Sequence, residues 1–161
     1  MNNNQENAET NTRIGKLREY LIGIINTLTT EEFSVNADML DNEPDSYSID
    51  KVPMNTQVRK DVCGNITRRE EYLFRSLRDY SQDTINNLEN IGFFERFEYV
   101  INSNNRKGIL PNIENISSIE CISCGAMDYS ESNTAEFGSR IQIEYEEAYE
   151  EDNSQEWLFY K

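Results

Sequence analysis

The sequence predicts an α+β domain, an antiparallel β-sheet with two amphipathic helices packed on one face. Three observations carry this. From Glu71 to Arg78 apolar and charged side chains alternate, as in a half-buried strand. The alternation breaks at Asp79-Tyr80-Ser81, and apolar residues then recur at helical spacing as far as Ile101. A second helical stripe, Ile14, Leu17, Leu21, Ile24, Ile25 and Leu28, opens the chain. Helices with one apolar stripe need a sheet face to bury it against.

From the N-terminus, residues 1–12 are Asn-rich and predict a disordered extension. Asn11 or Thr12 suits the N-cap of the first helix, and Thr29-Thr30 ends it. Phe33 to Leu40 reads as a short strand before the acidic loop DNEPD. Tyr47 to Pro53 and Gln57 to Val62 are strand material, with Pro53 implying an edge or a bulge. Cys63-Gly64-Asn65 is a tight turn, and Ile66 to Arg78 returns as a long strand. Tyr72, Phe74 and Ser76 share one face of it; Leu73, Arg75 and Leu77 share the other. Apolar residues on both faces predict cover on both, by a helix on one side and a neighbouring subunit on the other.

Ser81 suits the second helix's N-cap, with Asp83 in the first turn. Ile85, Leu88, Ile91, Phe94, Phe97 and Ile101 form its predicted buried stripe, and Gly92 marks a bend. Asn102 to Gly108 closes it, and Leu110-Pro111 starts a linker. Ser118 to Cys124 and Ala135 to Tyr145 read as a closing strand pair around a polar loop, 128–134. In the last strand Phe137, Ile141, Ile143 and Tyr145 share one face, with Arg140, Gln142 and Glu144 opposite. The coarse order is α-β-β-β-α-β-β. It predicts one domain over 13–149, followed by an acidic tail, 150–161, with an aromatic tip.

The 161 residues hold 30 acids against 15 Lys and Arg, a net charge of −15. Such a surface repels DNA and anionic lipid. No apolar run approaches the ~20 residues that span a bilayer. The polar N-terminus lacks the order of a signal peptide, so a cytoplasmic protein is expected. The charge is unevenly placed. Residues 59–78 hold Arg59, Lys60, Arg68, Arg69, Arg75 and Arg78 against three acids, a net of +3. Residues 128–161, which include Glu144, Glu146 and Glu147, hold ten acids against two cations, a net of −8. Two such regions can meet within one fold or head to tail between copies. These nine residues are therefore the candidate subunit interface.

There is no histidine, which removes the usual general base, the common nucleophile pairs and the commonest metal ligand. The three cysteines, Cys63, Cys121 and Cys124, suit reduced thiols. Cys121 and Cys124 form a CxxC, but strand alternation puts them on opposite faces, as small apolar residues. A zinc site would need further ligands. The acids from Glu144 to Asp152 lack the fixed spacing of a calcium loop. Gly64 and Gly92 stand alone, and no phosphate-cradling loop exists. No catalytic, metal or cofactor residue is predicted, and the chain does not read as an enzyme. The terminal Trp157, Leu158, Phe159 and Tyr160 form an apolar tip on an acidic tether. They read equally as a docking anchor or as a tail folded back on its own sheet.

Residues 14–149 resemble the phage tail-terminator family, also known as minor capsid or head–tail joining proteins of low-GC Gram-positive phages and prophages. The resemblance rests on IGKLREYLIGIINTL, on YLFRSLRDYSQDTINNLENIGFFERFEYVI, and on ISSIECISCGAM with AEFGSRIQIEYEEAY. It implies a virion protein assembled in the host bacterial cytoplasm, an α+β subunit of a homohexameric ring. Such a ring caps the tail tube, and in a contractile particle holds the last sheath ring. Its partners would be the tail tube protein, the head–tail connector or stopper, and in some particles the sheath protein. A negative lumen would let DNA slide without specific binding. The rival class is an acidic soluble inhibitor that mimics nucleic acid or sequesters a basic partner.

Overall fold

Two long β-strands meet edge to edge along their whole length at the centre of this protein. In the computed structural model, residues 11–79, 84–131 and 133–148 are described. Among them lie helix α1 (Arg13–Leu28), strands β1 (Ser34–Ala37), β2 (Ser46–Lys51), β3 (Gln57–Lys60) and β4 (Ile66–Asp79), helix α2 (Thr84–Lys107), and strands β5 (Ile116–Glu131) and β6 (Thr134–Glu147). The sheet order is β1-β2-β4-β6-β5, and β3 also pairs with β4. Fourteen register pairs, Ile66↔Glu147 to Asp79↔Thr134, join β4 to β6.

The α+β class stands, with three corrections. Four strands, not three, separate the helices. The sheet is mixed, because β1 runs parallel to β2 with Ser34 opposite Ser46. Asp38 (φ 55°) and Asp45 (φ 59°) flank the short return between these strands in the left-handed region, which Asp tolerates better than most residues. Finally, residues 128–131 and 134 are strand rather than loop, so β5 and β6 form one long hairpin.

Strands β2 and β3 run along the same edge of β4. Ser46–Lys51 oppose Tyr72–Leu77, and Gln57–Lys60 oppose Ile66–Arg68. Pro53 lies in the gap between them, where a residue without an N–H does least harm. Hydrogen bonds from Val52 N to Glu71 O (2.9 Å) and from Arg69 N to Thr56 O (2.7 Å) bridge the gap.

Thr12 caps α1 by accepting from Gly15 N at 3.1 Å, and Thr29 ends the helix. Leu17, Leu21, Ile24 and Ile25 of α1 join the core. Tyr47, Ile49, Tyr72, Phe74, Phe137, Ile141, Ile143 and Tyr145 form the sheet face beneath both helices. Phe74 is stacked between Tyr47 (5.3 Å) and Phe97 of α2 (4.8 Å), and Phe94 of α2 meets Phe137 at 5.3 Å. Ring stacking of this kind adds about 0.5–1.5 kcal/mol per pair beyond burial. Helix α2 ends at Lys107, where Gly108 takes φ 71°.

A second set of corrections concerns α2. Leu88 and Ile91 are not buried; they are 60% and 48% exposed. Phe93, Phe94, Phe97 and Ile101 fix which side of the helix faces the sheet. Asn90 follows them inward, its Nδ2 donating to Asp79 O at 2.9 Å. Ser81, Asp83 and the side chain of Ile85 lie outside the described residues.

Candidate assembly surfaces

The face of the sheet away from the helices carries charges, and they meet across neighbouring strands. Arg75 of β4 reaches Asp50 of β2 at 2.5 Å and Glu136 of β6 at 3.3 Å. Arg69 donates twice to Glu144, at 2.6 and 2.9 Å, and Arg140 lies 3.7 Å from Glu71. Leu73 and Leu77 lie half-buried on this same face. Opposite charges directly across a sheet contribute roughly 0.2–1 kcal/mol each.

On the helix side, Arg68 pairs with Glu147. Arg78 donates to Asp45 at 2.8 Å and to Tyr47 Oη at 2.6 Å, while its guanidinium sits 4.0 Å over the Phe93 ring. Burial pushes the Tyr47 hydroxyl up to about 12, the nearby Arg78 charge opposing it. Of the nine candidate interface residues, Arg68, Arg69, Arg75, Arg78, Glu144 and Glu147 thus hold partners in their own chain. The basic and acidic regions meet inside the fold. Arg59 and Lys60 of β3 are exposed and enter no ion pair among the described residues, and Glu146 is also exposed. Trp157, Leu158, Phe159 and Tyr160 lie outside the described residues.

The sequence reading missed one charged cluster. Glu70 is 1% exposed and accepts from Arg13 (3.1 and 3.3 Å), Lys51 (2.9 Å), Tyr72 (2.6 Å) and Tyr145 (3.0 Å). Burial alone would push its carboxyl up. The donors from Tyr72, Lys51 and Arg13 outweigh burial and hold the group down to about 2. Burial and the same carboxylate push the Tyr72 and Tyr145 hydroxyls up. A carboxylate held this low, with both oxygens engaged, is a clamp between α1, β2, β4 and β6 rather than a base poised near neutrality. It floors an open cleft of about 1070 Å³ that Lys16, Asp38, Glu114 and Glu147 also line. The signal was in the alternation, since Glu70 falls on the face of Tyr72 and Phe74.

The CxxC also departs from simple alternation. Register shifts between Cys121 and Ala126 bring both thiols to the helix side of β5. Cys124 Sγ donates to Phe94 O at 2.8 Å, and Cys121 Sγ to Ser123 O at 3.3 Å. The neighbouring Cys124 sulfur, with burial adding to it, pushes the Cys121 thiol up, and Cys121 in turn draws Cys124 down. Gly125 sits at φ 61°, where an added Cβ would lie 2.7 Å from Phe94 Cβ. No group of three metal-ligating side chains occurs among the described residues.

The two sheet edges are treated differently. Asn102 and Asn105 of α2 accept from Cys121 N (3.3 Å) and Ile119 N (3.1 Å), closing part of the β5 edge with side chains. At the other edge all four residues of β3 are exposed. The turn after it is braced by Asp61, whose carboxylate accepts from Cys63 N and Asn65 N and from Asn65 Nδ2. Val58 is 48% exposed and Val62 fully so. This hairpin is an arm with an open edge, two cations and two bare valines. The chain matches no protein-family model and no curated protein. Among the described residues no helix is long and apolar enough to cross a membrane.

Proposed function

We propose that this protein is a structural subunit of a bacterial virus, a tail-terminator-type protein that closes a ring on the tail tube and joins it to the head connector. The observation that carries the reading is the β3 arm. Its outer strand edge, its valines and the cations Arg59 and Lys60 are all exposed, as in a surface used between copies. The α+β architecture and the sequence resemblance support the same reading. The acidic surface suits a lumen through which DNA must slide.

The inhibitor reading is weaker. A mimic of nucleic acid needs a field of free carboxylates, whereas Asp50, Glu71, Glu136 and Glu144 on the open sheet face are each paired with an arginine. Gold-labelled antibody against the chain, applied to particles under the electron microscope, tests the proposal. Label at the head–tail junction is expected; particles that carry none would overturn it.

A further inference from the structure

The arm and α2 expose two apolar patches of opposite charge that a single chain cannot bring together. Residues 88, 91, 95 and 99 of α2 fall in one row, since steps of three and four residues return to the same side of a helix. Leu88, Ile91 and Tyr99 in this row are 60%, 48% and 67% exposed. Glu95 lies within it, and Glu89 and Arg96 flank it, all three exposed. The row is therefore apolar with a net negative charge. The arm is apolar and basic, and its one acid, Asp61, is engaged in bracing the turn.

The patches lie at opposite ends of β4. Arg59 is opposite Thr67, whereas Asn90, between Leu88 and Ile91, binds the carbonyl of Asp79. At about 3.3 Å per residue the intervening strand separates them by roughly 40 Å. Neither patch can cover the other within its own chain.

We propose that the arm of one copy docks on the α2 row of the next, Val58 and Val62 against Leu88 and Ile91, with Arg59 and Lys60 facing Glu89 and Glu95. This deepens the reading of the chain as a ring subunit and rests on it. The contact joins unlike patches, so it repeats head to tail and closes into a ring when the rotation per step allows. It also leaves the charge pairs of the open sheet face intact.

The test uses the full chain in sedimentation velocity at several salt concentrations. Wild type assembles. Arg59→Glu with Lys60→Glu, or Glu89→Lys with Glu95→Lys, weakens assembly by about tenfold or more through like-charge contacts. Combining all four substitutions restores assembly to within about threefold of wild type, because the complementarity is then only inverted. A second measurement avoids charge. Cys63 is exposed on the arm, so Leu88→Cys under mild oxidation gives a ladder of disulfide-linked multimers that Cys63→Ser abolishes. Wild type that assembles while the reversals have no effect, or a ladder that survives Cys63→Ser, overturns this docking and leaves the ring reading standing. Wild type that stays monomeric throughout overturns both.

Discussion

The hydroxyl of Tyr145 donates to the carboxylate of Glu70 over 3.0 Å, so β6 is fastened to β4 through a charge buried under α1. Removing that charge leaves Arg13 and Lys51 without their counter-ion. Glu70→Gln is expected to lower unfolding stability by about 2–3 kcal/mol, at or just below the lower end of the range for breaking a buried pair, because both cations are half exposed and screened. Urea unfolding measures it.

Glu70 also sets a pH dependence. Its carboxyl is held at about 2, below its ordinary 4.5. The unfolded chain therefore binds the proton first as pH falls, and the stabilisation, complete above about 4.5, is lost progressively towards 2. Wild type should lose stability more steeply than Glu70→Gln across that window. Parallel curves from urea melts at successive pH values would show that Glu70 is not the titrating group.

The six cations of residues 59–78 should separate into two classes. Arg78→Ala removes a half-buried cation over Phe93 and two hydrogen bonds, and is expected to lower stability by about 2–3 kcal/mol. Arg59→Ala on the exposed arm should stay within about 0.5 kcal/mol. Thermal unfolding of the two variants decides this.

Gly125→Ala places a methyl group 2.7 Å from Phe94 Cβ at a left-handed backbone position. Strain and overpacking together are expected to lower stability by about 2–4 kcal/mol. Gly23, with nothing within 4 Å of its added Cβ, should tolerate Ala or gain from it in the same denaturation series.

The thiols should react in the order of their exposure. Cys63 is exposed, Cys124 half-buried and Cys121 buried with its thiol pushed up by the neighbouring Cys124 and by burial. Maleimide labelling followed by peptide mass spectrometry is expected to modify Cys63 first and Cys121 last.

Much of this fold was legible where one period and one buried face coincide. The stripe from Leu17 to Ile25, the row of Tyr72 and Phe74, and the face of Phe137, Ile141, Ile143 and Tyr145 are all buried as their spacing requires. In α2 two apolar rows share one helix, and Leu88 lies roughly 140° around from Phe93. Spacing alone merged them, and only the packing of Phe93, Phe94 and Phe97 on the sheet tells them apart. The parallel β1–β2 pair and the shifts in register after Cys121 depend on neighbours distant in sequence, which alternation does not encode. Counting charges by region found the basic strand and the acidic strand but not their meeting, because direct pairing such as Arg69 with Glu144 is a property of register.

Native mass spectrometry of the purified full chain over a range of concentration and salt tests the ring most directly. The account predicts a closed species, six times the mass of one chain, that loosens as salt rises. A single-chain mass at every concentration and every salt would contradict it.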